Sequence, residues 1–167
     1  CVFDPLANAV KYAHDRGFTM IASTGNNGAS YMTSPACVRE AIAVSSSSKS
    51  DIVSSFSNMN GMVDLLAPGE SVTADGSNGA ETKSGTSISV AHVAGATALL
   101  LESNSSMTPD EIDSRFKNTG KLIEFNGANY SRVDVYSAIM NMRNSGPTEQ
   151  DVNDSNETYD DNYTAAT

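Results

Sequence analysis

A parallel α/β fold is expected for this chain. A helical pattern closes on a glycine and leads straight into an apolar strand, two further apolar strands follow, and a long apolar helix comes after them. Helices that alternate with buried strands are the pattern of a parallel sheet covered on its faces.

Pro5 to Arg16 reads as a helix, with Leu6, Ala9, Val10 and Ala13 at helical spacing and Gly17 as its stop. Phe18 to Ala22 is the first strand, and Thr24-Gly25-Asn26-Asn27-Gly28 is the turn at its carboxyl end, where open parallel sheets hold their ligands. Ala41-Ile42-Ala43-Val44 forms a second strand within 40–46. A serine-rich turn follows it, then Val53-Ser54-Ser55-Phe56-Ser57. Val63 to Ala67 is a third strand, ended by Pro68-Gly69, and residues 70–84 read as short strands or loop. Thr86 to Glu102 is apolar nearly all round, the pattern of a helix buried in a core. Thr108-Pro109-Asp110-Glu111 is a capping box with proline at the first helical position and opens a surface helix to about Asn118. Val133 to Met142 reads as the last helix.

The 167 residues suit one domain or part of one. Composition divides the chain at 143. Residues 144–167 carry six acids and no Lys or Arg, the composition of a disordered acidic tail or linker. Residues 1–143 carry fourteen acids against ten bases and hold all the expected elements. A net charge of -10 argues against a nucleic-acid partner, whose phosphates require basic surfaces. No run approaches the roughly 18 apolar residues of a membrane span. Cys1 and Cys37 are compatible with a bond to each other, with two free thiols, or with a bond from Cys1 to a segment outside the chain.

The chemistry concentrates in Gly85-Thr86-Ser87-Ile88-Ser89-Val90-Ala91-His92-Val93-Ala94-Gly95. It sets a serine where a glycine turn becomes a helix, among unpaired backbone N–H groups and the positive end of the macrodipole. That environment suits an oxyanion formed beside the Ser87 hydroxyl. Asn26, at a strand end, reads by itself as an ordinary turn residue, and its amide can also donate to the same oxyanion. His92 lies five residues after Ser87, roughly 140° around and 7.5 Å along a helix, out of reach of the Ser87 hydroxyl. His14 sits in the middle of the first helix and reads as a surface residue.

The segment around Ser87 closely resembles the nucleophile motif of the subtilisin-like serine peptidases (subtilases), G-T-S-M-A-x-P-H-V-A-G, with Ala91 in place of the proline. Ser23-Thr24-Gly25-Asn26-Asn27-Gly28 resembles that family's oxyanion segment A-A-G-N-x-G. Ser34-Pro35-Ala36 with Ile42-Ala43-Val44, Ser55-Phe56-Ser57-Asn58 and Ala67-Pro68-Gly69 resemble three more of its segments. The resemblance runs from about residue 8 to residue 140. It implies a subtilisin-like three-layer fold, a mostly parallel sheet between helices, present here only in part. It also implies a serine endopeptidase that cleaves polypeptide through a Ser87 acyl-enzyme with Asn26 as oxyanion donor. Ser23, Thr24 and Gly25 would line one wall of the pocket for the residue before the cleaved bond, and His92 would be structural.

The family's catalytic Asp and His come from D-[ST]-G and H-G-T segments that do not occur in this chain. They are expected on an N-terminal segment of the same domain, and residues 1–167 alone are expected to be inactive. The chemistry needs no cofactor. The resemblance also implies a structural Ca²⁺ at Asp51, five residues before Phe56, with backbone carbonyls near the Arg39–Ala41 turn as further hard oxygen ligands; the alternative is a solvated aspartate. A secreted or extracellular location follows from the resemblance, although the chain holds no signal peptide. The alternatives are a non-catalytic binding or scaffold module of the same fold, and, outside that fold, an acidic calcium-binding or spacer protein.

Overall fold

The computed structural model describes residues 5–77 and 79–144. Cys1 and residues 145–167, where most of the expected tail falls, lie outside the described residues. Among the described residues four helices, α1 (Pro5–His14), α2 (Thr86–Ser103), α3 (Pro109–Thr119) and α4 (Val135–Asn144), combine with seven strands. A five-stranded sheet is ordered β1 (Met20–Ser23), β2 (Ala41–Ser47), β3 (Leu65–Pro68), β7 (Ala128–Arg132), β6 (Lys121–Phe125). The first four of these neighbours pair in parallel, and β6 closes the edge antiparallel to β7. β4 (Val72–Gly76) and β5 (Gly79–Lys83) form a separate antiparallel hairpin. The fold is the expected α/β class, a mostly parallel sheet flanked by helices.

Alternation along the strands divides the core into two layers. Ile42, Val44, Leu65 and Ala67 pack with Val93, Ala96 and Leu100 of α2 and with Ile112 and Phe116 of α3. Ala41, Ala43 and Leu66 face the other way, toward Val10 of α1 and a group of loop residues that includes Met32, Val38, Val53 and Met59. Every residue of β2 is buried, as befits a strand covered on both faces.

Local chemistry explains the element ends. Gly17 stops α1 with φ 82. The capping box of α3 forms as expected. The Thr108 hydroxyl accepts from the Glu111 N–H, and the Glu111 carboxylate accepts from the Thr108 N–H at 2.8 Å. The N-terminus of α4 is held by Asp134, whose carboxylate accepts from the Ser137 N–H at 2.9 Å.

Three findings depart from or sharpen the sequence reading. The apolar pattern of α2 predicted burial all round, but only Thr86, Ser89, Val93, Ala96, Thr97 and Leu100 are buried. Ala91, Ala94, Gly95 and Ala98 are exposed, and Leu99 is 53% exposed. One face of α2 rests on β1, β2, β3 and α4, and much of the other is open to solvent. Second, residues 121–132 form a hairpin turned on Asn126 (φ 52) and Gly127 (φ 79), which the sequence reading left unassigned. Third, Cys37 is disulfide-bonded, which removes the reading of two free thiols.

Candidate active site

The carboxyl ends of β1, β2 and β3 carry the site. The strands end in a buried polar bed instead of an apolar one. Thr24, Ser45, Ser46, Ser47 and Asn58 are fully buried. Burying hydroxyls is costly unless they find partners. Those of Thr24, Ser45 and Ser46 do, whereas Ser47 Oγ has none among the described residues. Thr24 and Ser45 hydroxyls share a bond of 2.8 Å, Ser45 Oγ donates to the Asn58 carbonyl at 2.8 Å, and Ser46 and Ser54 hydroxyls share one of 2.9 Å. The Ser57 hydroxyl accepts from the Ser46 N–H at 2.8 Å. Ser45 and Ser46 at the end of β2, with Ser54 and Ser57, thus form a hydrogen-bonded plate under the site, and the expected serine-rich turn follows at residues 48–51.

Ser87 is the second residue of α2 and is exposed. The N-cap is Gly85, which offers no side chain to cap the helix, so the first-turn N–H groups are left to other acceptors. Asn26 takes one of them. Its Oδ1 accepts from the Thr86 N–H at 2.9 Å and from the Thr86 hydroxyl at 2.9 Å. Because both bonds are to oxygen, the amide orientation is fixed, and Nδ2 is left as a donor beside the helix start. A Cβ built on Gly85 would stand 3.4 Å from that Nδ2. The sixty-residue separation in sequence is thereby closed, and Asn26 and Ser87 share one surface.

Ser23, Thr24 and Gly25 follow one another into the same loop. Ser23 and Gly25 are half-buried, whereas Thr24 is wholly buried with its hydroxyl on Ser45. The Thr24 side chain is therefore committed to the core.

Neither histidine contacts Ser87. His92 Nδ1 donates to the carbonyl of Ile88 on its own helix at 3.0 Å, and His14 Nε2 lies 3.2 Å from Asp110, tying α1 to α3. A cavity of 490 Å³ lies between α2 and the β4–β5 hairpin. Ile88, Ala91 and His92 are on one wall, and Val72, Ala74 and Lys83 are on the other.

Asp51 does not fit a calcium ligand. One carboxylate oxygen is 2.6 Å from Arg132 Nε and the other 2.7 Å from Lys121 Nζ. The Lys121 hydrogen bond, with the charge of Arg132 beside it, holds the carboxyl below its ordinary range. A divalent cation would have to displace two cations already in place. No cluster of three or more His, Cys, Asp or Glu side chains suited to a metal occurs among the described residues.

Two structural roles were not foreseen. Asp64 accepts from the Ala43 N–H at 2.8 Å and from Lys117 Nζ at 2.5 Å, and Lys117 also reaches Asp113 at 2.6 Å. This links β2 to α3. Burial pushes the Asp113 carboxyl up, with the Lys117 hydrogen bond opposing. The other role is that of Asn58, taken up below.

Comparison with known proteins places this geometry. The Peptidase_S8 model, described as the subtilase family, matches residues 3–151. The thermophilic serine proteinase of Bacillus sp. (strain AK1) is 36% identical over 142 residues, covering 83% of this chain and 35% of that protein. The extracellular serine proteinase of Thermus sp. (strain Rt41A) is 39% identical over 113 residues, covering 65% of this chain and 28% of that protein. The crystal structure of a cold adapted subtilisin-like serine proteinase superposes with a TM-score of 0.70 at 34% identity, covering 76% of this chain and 48% of that one. The chain thus spans about a third of the length of the curated relatives it matches.

Proposed function

Because this chain belongs to the subtilase family, we propose that it carries the nucleophile and oxyanion half of a serine endopeptidase acting on polypeptides. Ser87 Oγ attacks the scissile carbonyl and becomes acylated. The negative charge that develops on the carbonyl oxygen is met by Asn26 Nδ2 and by the free N–H at the start of α2. Donors fixed in advance cost no reorganisation when the charge forms, and removing one costs roughly a hundredfold or more in rate. The observation that carries this reading is the pair of bonds from Thr86 to Asn26 Oδ1. They tie the amide's acceptor to the first residue of α2, which leaves its Nδ2 free to donate beside the nucleophile.

A serine hydroxyl needs a base. His92 and His14 are engaged elsewhere. The triad His and Asp are therefore assigned to a segment of the full protein outside this chain, which fits curated relatives of more than twice this length. Ser23 and Gly25, with the backbone of Thr24, are assigned to one wall of the pocket for the residue before the cleaved bond. The reaction so written uses no metal or cofactor. An extracellular location is part of the proposal, supported by a relative named as extracellular.

A fluorophosphonate probe tests it. The serine oxygen displaces fluoride from phosphorus, so the complete protein should be labelled at Ser87, and Ser87→Ala should abolish labelling. Labelling that survives the substitution would overturn the assignment. No labelling of the wild-type protein would favour the non-catalytic module of the same fold.

A further inference from the structure

Asn26 is exposed, and among the described residues its side chain is held only by Thr86. Something else must fix its backbone, because a donor on a loose loop would lose the preorganisation that makes it useful. The structure supplies that part from Asn58, the last residue of Ser55-Phe56-Ser57-Asn58, thirty-two positions away in sequence and fully buried.

Asn58 grips the loop on both sides of Asn26. Its backbone N–H donates to the Gly25 carbonyl at 3.0 Å. Its side-chain Oδ1 accepts from the Asn27 N–H at 2.9 Å and the Ala29 N–H at 3.0 Å, and its Nδ2 donates to the Thr24 carbonyl at 3.1 Å. The Gly25 carbonyl and the Asn27 N–H belong to the two planar peptide units that flank the Asn26 Cα. Peptide planes are rigid, so fixing both leaves Asn26 without a free backbone torsion. The side chain of Asn58 has all its polar capacity directed at this loop save one N–H. Asn58 is held in turn from below, where its carbonyl accepts from Ser45 Oγ. The approach is close enough to dictate a glycine. A Cβ on Gly25 would stand 2.5 Å from Asn58 Nδ2, and Gly25 has φ 111.

We propose that Asn58 is a positioning residue for the oxyanion amide, acting on the reaction only through Asn26. This rests on the oxyanion reading above, and it predicts a specific kind of coupling. If Asn58 works through Asn26, its substitution matters while Asn26 is present and ceases to matter once Asn26 has lost its amide. A merely structural residue would impair both backgrounds alike.

The experiment is a double-mutant cycle in the complete protein, read as kcat and KM on a peptide substrate. End-point fluorophosphonate labelling counts the competent sites. Asn26→Ala should lower kcat about a hundredfold with little change in KM. Asn58→Ala should lower kcat about tenfold to a hundredfold, again with little change in KM. The double variant should match Asn26→Ala within about twofold. Where Asn58→Ala yields few labelled sites, the cycle is run with Asn58→Asp. That variant keeps an acceptor for both loop N–H groups and loses only the donor to Thr24. It should show a smaller kcat loss that likewise vanishes beside Asn26→Ala. Losses that multiply in the cycle, or that fall on KM, overturn the role given to Asn58 and leave the oxyanion reading intact. An unchanged kcat in Asn26→Ala overturns the oxyanion reading and this inference with it.

Discussion

Two glycines in the loop beneath Asn26 show how closely its neighbours approach. Gly28 has φ 61, and a Cβ there would stand 2.8 Å from the Ser55 carbonyl oxygen. Gly25 combines a left-handed φ with the 2.5 Å approach to Asn58 Nδ2. Gly25→Ala should therefore destabilise the complete protein by about 2 kcal/mol or more, from backbone strain together with overlap against a buried side chain. Urea unfolding measures it, and a loss below about 0.5 kcal/mol would show that the loop relaxes freely. Ser87 and Asn26 were singled out in the sequence because the segments around them resemble subtilase motifs, and the structure brings those two segments together. The role of Asn58 was not legible there, since it depends on two distant peptide planes meeting one buried amide, which no spacing in the sequence encodes. The partners of Asp51 were hidden for a related reason. A lone carboxylate in a turn reads alike whether its partner is a metal ion or, as here, Lys121 and Arg132 from the far hairpin.

At the scale of elements, that ion pair has a defined task. Lys121 and Arg132 are directly opposite each other in the β6–β7 ladder. Two like charges in that relation destabilise a strand pair, and Asp51 sits between them. Its carboxyl is held below the ordinary range, so the stability it contributes is full above the unfolded-state value. That stability is lost as the pH falls through the lower folded value. Asp51→Asn should cost roughly 0.5–1 kcal/mol at pH 7, and the gap to wild type should close in strongly acidic solution. A gap equal at both ends of the pH range in urea unfolding would mean that charge is not the cause. The hairpin itself was readable. Asn126-Gly127 between alternating segments is a strong two-residue turn signal, and both residues take the positive φ that such a turn requires. Helix α2 was legible in its existence but not in its burial. An all-round apolar pattern states what a helix is suited to pack against, and among the described residues burial is confined to one face.

For the molecule as a whole, that exposed face sets an expectation. Ala91, Ala94, Gly95, Ala98 and Leu99 stand open on the helix that carries the nucleophile, and no described strand pairs the outer edge of β1. An open edge beside an apolar helix face favours self-association. Residues 1–167 expressed alone should release no peptide above background and should aggregate. Addition of the upstream part of the full protein should raise helicity and solubility together, as read by circular dichroism. Hydrolysis by the isolated chain, abolished by Ser87→Ala, would show that His14 or His92 serves as a base after all. The tie between Asn26 and Thr86 spans 60 residues of chain, and this has a consequence in time. A ribosome adding about 5–20 residues per second takes several seconds to pass from one to the other. Through that interval a nascent chain holds the amide loop without its serine, and contacts so distant in sequence are slow to close even afterwards. The pairing on which bond cleavage would depend is thus among the late events of biogenesis.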